Sequence, residues 1–325
     1  MAQTLAAPII APHTPARSLG VLTGLASALA FASSGPFLKA LVESGWSTGA
    51  AATMRMSGAA VVLLPVLIIA LRRDPRLFHR HGWIILGFAL TGAVGCQVFY
   101  LSALQRMPVA VALLVQYLAP VLLVVWAWAR TRRAPGGRVL AGSAVSLAGL
   151  VLVIDLGGAS VDALGILFAL GAAVSMGAYF VLSERAGDDL PPLTLAAAGL
   201  AVGSVISALL CVVGVMPFTA STADVQLAGA TVAWFVPLGW VVVIATALAY
   251  SLGVVAVTQV GSRVASFVGL SEVLFAVVFA WMILGETPTP VQLLGGAVLV
   301  AGVVLVRAGT PARAHEARLP EIPST

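Results

Sequence analysis

Two charges stand inside apolar runs of this 325-residue chain, Glu272 in Leu270-Ser271-Glu272-Val273-Leu274 and Arg55 in Ala52-Thr53-Met54-Arg55-Met56. A carboxylate held in hydrocarbon costs roughly 2.5–3.5 kcal/mol on insertion scales, so it faces an interior and keeps a partner or a proton. Glu272 either binds the amine of a small molecule, or carries a coupling proton, or stays protonated and ties helices together by a hydrogen bond. Arg55 either attracts a carboxylate, through two parallel bonds where geometry allows, or snorkels to loop carbonyls and pins its helix. A zwitterion in a dry site needs one anion and one cation, which these residues supply if they face one cavity. Gln97, Tyr100, Gln116, Tyr117, Tyr250 and Ser251 are further polar groups within apolar runs and candidates for lining that cavity. Bonds between helices are the alternative for any one of them. Gly35 and Pro36 interrupt another run: Pro36 has no N–H for the carbonyl of Ala32, which marks a kink that either gates or is passive.

Such side chains are unusual only if a membrane surrounds them, and the composition points to one. The chain is 60% hydrophobic and 9% charged, with a mean hydropathy of +1.07, which implies a polytopic protein in a lipid bilayer. Ten apolar stretches are each long enough to cross about 30 Å of hydrocarbon as a helix: 19–41, 47–71, 82–104, 108–129, 136–156, 164–183, 191–214, 234–257, 262–284 and 290–307. Turn and polar residues separate them, and 215–233 is the longest loop. Residues 1–18 and 308–325 are expected to be disordered tails.

The net charge of +5 sits at helix ends and short loops rather than on one basic face, which argues against nucleic acid as a partner. Cys96 and Cys211 lie in separate apolar runs and suggest no disulfide framework or metal site. The four histidines, His13, His79, His81 and His315, fall in tails or the loop after the second stretch. With no metal spacing, nucleophile elbow or phosphate loop, the chain does not read as an enzyme and implies no cofactor.

Residues 103–154 recur at 256–307 with a constant shift of 153 and no gap. Ala103 falls on Ala256, Ala127-Trp128 on Ala280-Trp281, Gly142 on Gly295 and Gly149 on Gly302. Arg72, Arg73, Arg76, Arg80, Arg130, Arg132, Arg133, Arg138 and Arg185 crowd alternate loops, against Lys39 and Arg106 on the other side. That bias places both termini in the cytoplasm. Five crossings per copy is an odd number, so the second copy enters from the opposite side. The expected fold is an all-α polytopic membrane protein of ten transmembrane helices in a 5+5 inverted repeat, the architecture of carriers with a midplane site. The first repeat spans 19–156 and the second 164–307. Trp46, Trp83, Trp126, Trp128, Trp234 and Trp281 lie near helix ends, as an interfacial belt does. The glycine faces Gly142/Gly149 and Gly295/Gly302 either pack within the bundle or form the contact of a homodimer.

The run Leu270 to Glu286 resembles the closing motif of EamA domains in the drug/metabolite transporter superfamily, an L-E-P, apolar run and L-G-E followed by a glycine-rich helix. Arg55 sits where that family carries an Arg in its second helix, and Tyr100-Leu-Ser-Ala-Leu resembles the end of its third. Gly35 to Lys39 and Ala245 to Leu252 look most like the threonine/homoserine exporter branch. Val273 replaces the motif's Pro, while the first copy keeps Pro120 but has Ala119 for Glu. The resemblance implies secondary transport in a bacterial inner membrane by alternating access, exporting a small polar metabolite such as an amino acid, coupled to protons or by exchange. Efflux of lipophilic cations is the alternative within transport, and a scaffold or sensor the alternative outside it.

Overall fold

Near-continuous apolar sequence in lipid must satisfy its backbone internally, so helix is its default. The computed structural model describes residues 15–104, 106, 115–132, 134–154, 162–284 and 289–309. The first half contains α1 (Pro15–Ala32), α2 (Ser34–Glu43), α3 (Thr48–Val62), α4 (Leu64–Arg73), α5 (Leu77–Phe88), the π-helix π1 (Ala89–Gly95), α6 (Cys96–Leu104), α7 (Ala119–Thr131) and α8 (Gly137–Ile154). The second contains α9 (Ala163–Asp189), α10 (Pro192–Val212), strands β1 (Val225–Leu227) and β2 (Ala230–Val232), α11 (Phe235–Val242), π2 (Val243–Leu248), α12 (Ala249–Gly269), α13 (Ser271–Phe279), π3 (Ala280–Leu284) and α14 (Pro290–Gly309).

Five helices are long and apolar enough to cross a membrane: Ser18–Glu43, Leu77–Tyr100, Ala163–Ala186, Pro192–Val212 and Phe235–Gly269. A sixth crossing results if Thr48–Val62 and Leu64–Arg73, bent by 53° at Leu63, count as one. Ala119–Thr131, Gly137–Leu152, Ser271–Ile283 and Leu293–Val306 are shorter apolar helices. The start of the expected fourth stretch and the Arg133 and Glu286 loops lie outside the described residues, as do most of both expected tails. Helix begins at Pro15, inside the tail expected for 1–18.

The breaks have local causes. Pro65 has no N–H for the carbonyl of Val61, which opens the ladder at Leu63 and permits the sharp bend there. The first stretch breaks at Ser33, whose hydroxyl donates to Ala30 O at 2.7 Å and accepts from Trp240 Nε1 at 3.0 Å. The α12 backbone turns at Gly261, where φ is +81°, a conformation that favours glycine, and Glu184 accepts the next N–H, from Ser262, at 3.1 Å.

The long loop carries structure the sequence reading did not assign. β1 and β2 form a hairpin turned by Ala228 and Gly229, both at positive φ. β1 packs against α2, and the loop before it, at Pro217 and Thr219, sits on the start of α3. Ser47 caps that helix by accepting from Ala50 N at 3.2 Å, exchanges bonds with Thr219, and donates to Pro217 O. Trp46 was expected in the interfacial belt but is buried there, donating to Ser221 O at 2.7 Å beside Leu41, Val225 and Trp234. Trp83, Trp126, Trp128 and Trp281 are exposed, as a belt requires.

α8 and α14 pack along their glycine faces. A side chain at Gly142 would meet Val306 N and Gly302 O at 2.7 and 2.8 Å, and one at Gly149 would strike the Leu299 backbone. Of the two uses open to these glycines, packing within the bundle is the one realised. The face is consumed and is not offered to a second copy.

Candidate functional site

A cavity of about 190 Å³ opens between the two halves of the chain. α1 contributes Gly24, Ser27, Ala28 and Phe31, α3 contributes Arg55, and π1 and α6 contribute Gly92, Cys96, Gln97 and Tyr100. Gln116 and Tyr117 come from the turn before α7, Met176, Tyr179 and Phe180 from α9, and Tyr250, Gly253, Ala256, Ala265 and Gly269 from α12. Glu272, in the first turn of α13, completes the wall.

Arg55 is almost fully buried. Its Nε donates to Thr246 Oγ1 at 3.1 Å, and its Nη2 donates to Ala245 O at a long 3.5 Å. Thr246 can accept because its own proton goes to Val241 O at 2.7 Å. Among the described residues, two of the five guanidinium N–H donors are thus engaged. Glu272 is half-buried at the cavity wall, which it shares with Tyr117. The two charges feel each other's field. Among the described residues, however, neither is in an ion pair. A guanidinium and a carboxyl group therefore line one cavity without an ion pair between them.

The polar lining is partly spent on structure. Tyr250 donates its hydroxyl proton to Gly92 O at 2.8 Å. Gln116 Nε2 donates weakly to Cys96 Sγ at 3.5 Å, while its Oε1 is buried without a partner. Turning the carboxamide over would exchange the orphan oxygen for an orphan nitrogen, so one end stays unfilled either way. Rings pack edge-on around the site: Tyr250 against Phe31 at 4.9 Å, and Tyr179 against Phe180 at 5.0 Å and Tyr250 at 6.1 Å.

Of the residues singled out from sequence, Arg55, Gln97, Tyr100, Gln116, Tyr117, Tyr250 and Glu272 meet at this cavity. Ser251 does not: it donates back to Ala247 O in its own helix at 2.7 Å. Gly35 and Pro36 also lie off the wall, although their neighbour Ser34 is on it. Sequence reasoning passed over Tyr179, Cys96 and the rings of Phe31 and Phe180 as lining. One signal was available for Tyr179, because the chain has only four tyrosines and all four line the cavity. Among the described residues no group of three or more potential metal ligands comes together.

Comparison with known proteins agrees with this architecture. The threonine/homoserine exporter RhtA of Escherichia coli K12 is 34% identical over 210 residues, which span 63% of this chain and 65% of that exporter, just under two thirds of its length. A protein of Streptantibioticus cattleyicolor named "Probable terminal-alkyne amino-acid exporter" is 30% identical over 71% of this chain and 76% of its own. A solved crystal structure superposes with a TM-score of 0.69 at 20% identity, covering 89% of this chain and 96% of its own, a likeness of fold alone. The profile of the EamA-like transporter family matches residues 18–155 and again 163–308, one match for each half. This chain therefore belongs to the EamA-like transporter family of the drug/metabolite transporter superfamily.

Proposed function

We propose that this chain exports a small zwitterion, an amino acid or a close relative, across a bacterial inner membrane. The carrying observation is the pair Arg55 and Glu272 on one cavity without an ion pair between them. A free anion and cation in a site of low dielectric are complementary to a carboxylate and an ammonium on one small molecule. Arg55 holds the carboxylate, and Glu272 holds the ammonium or exchanges it for a proton. The named activities of the two relatives supply the direction, export, and the substrate class. The halves 19–156 and 164–307 are read as inverted five-helix repeats, ten crossings in all, with both termini cytoplasmic. Alternating access then moves the halves around the shared cavity.

The site's size supports a small substrate. About 190 Å³ is below the roughly 300–1,000 Å³ of pockets for drug-sized ligands. Six aromatic rings on the wall favour the second reading, efflux of a lipophilic cation. Arg55 opposes that reading, because a buried guanidinium repels a cationic cargo.

The test compares metabolites in the medium of cells producing equal membrane levels of the wild type, Glu272→Gln and Arg55→Gln. An amino acid or relative that accumulates with the wild type alone is the expected result. No difference across amino acids, together with raised resistance to lipophilic cations, would transfer the assignment to the second reading.

A further inference from the structure

Two of the three π-segments, π1 and π2, lie just ahead of the duplicated blocks. Continued upstream of residue 103, the shift of 153 carries 90–95 onto 243–248, the whole of π2, whereas π3 falls on 127–131 inside α7. Their exits match as well. The Cys96 N–H bonds to Thr91 O, and the matched Ala249 N–H bonds to Ile244 O. In an α-helix those amides would bond to Gly92 O and Ala245 O. Both carbonyls are passed over by the N–H that α-helix would give them, as happens where a helix widens to i→i+5. Each receives a cavity side chain from the opposite half: Tyr250 donates to Gly92 O at 2.8 Å, and Arg55 Nη2 donates to Ala245 O at 3.5 Å. Thr246, itself in π2, steadies the Arg55 contact through Nε at 3.1 Å.

We propose that these are two reciprocal latches: Tyr250 holds π1, Arg55 with Thr246 as its positioning residue holds π2, and cavity occupancy is thereby read by the two segments at which the halves flex. Segments with displaced ladders are the least costly places for a helix to bend, and two of them related by the repeat give each half its own hinge. The latches are unequal. The bond on Gly92 is short and neutral, while the bond on Ala245 is long and made by a guanidinium. A carboxylate bound by the remaining guanidinium donors draws the group away from this long contact. On the transport reading above, substrate arriving at Arg55 therefore releases π2 and leaves π1 held.

Hydrogen–deuterium exchange on the purified full chain in lipid nanodiscs tests the latches without any substrate. Tyr250→Phe is expected to speed exchange in peptides covering 89–96 by about 2- to 10-fold, the loss of one hydrogen bond, and to leave 243–249 unchanged. Arg55→Lys is expected to do the reverse. Acceleration confined to each variant's own helix, or spread equally over both segments, would overturn the proposal even if transport is intact. For Thr246 the readout is transport of L-threonine: Thr246→Val is expected to raise KM about 10-fold at unchanged Vmax, and Thr246→Ser to restore the wild-type value. Equal KM in Thr246→Val and the wild type would remove Thr246 from its positioning role.

Discussion

At the scale of single residues, the account depends on charges left unpaired for a ligand. A hydrogen bond to a charged group contributes about 1.5–3 kcal/mol, so Arg55→Gln should weaken apparent substrate affinity roughly 10- to 150-fold in initial-rate flux measurements. In the proposed mechanism a proton and an ammonium compete for the Glu272 carboxylate. An acidic exterior should therefore promote release and speed export by the wild type, while Glu272→Gln should lose that pH dependence. Gln116 gives a prediction of opposite sign for stability and function. Its buried orphan costs roughly 1–3 kcal/mol, so Gln116→Leu should raise the thermal midpoint of the substrate-free protein while impairing transport. These residues were legible because ionisable and amide groups are conspicuous in apolar sequence. Tyr179 and Phe180 were not, because a ring in a hydrophobic helix has the same pattern whether it faces lipid, core or cavity. Ser251 misled for a related reason: a serine in a helix can satisfy itself on its own backbone.

At the scale of elements, backbone approach decides. α8 and α14 meet where Gly149 lies on the Leu299 backbone, so no rotamer can rescue a larger side chain. Gly149→Ile should destabilise by about 1–3 kcal/mol or more, read as a lowered thermal midpoint in detergent, and Gly142→Ile should do likewise against Val306. The positions of the apolar stretches were visible from hydropathy, but their internal geometry was not. Pro65 bends its span by 53°, whereas Pro36 accompanies a break that leaves Ser18–Glu43 readable as one helix. Nothing in the local sequence separates the two prolines, since the difference lies in what packs around them. The π-segments are equally silent in sequence, because widening a turn by one residue needs no special residue type. The hairpin at 225–232 was hidden by its brevity, although Ala228-Gly229 carried the turn.

At the scale of the whole molecule, the duplication organises the site: two family matches, the matched segments π1 and π2, and one cavity between the halves. The proposed ten crossings with cytoplasmic termini predict that a phosphatase active only outside the cytoplasm will be inactive when fused at residue 325 and active when fused in the loop near Ser221. The most direct test of the central claim uses purified protein in proteoliposomes. Counterflow of the labelled amino acid that the medium comparison identifies is measured against three competitors: the same amino acid unlabelled, its methyl ester, which lacks the anion, and its N-acetyl derivative, which lacks the cation. The account predicts that both derivatives compete at least about 10-fold more weakly than the amino acid, and that Arg55→Gln and Glu272→Gln each lose most of the flux. Equal competition by the ester and the amino acid, or wild-type flux in both variants, would contradict it.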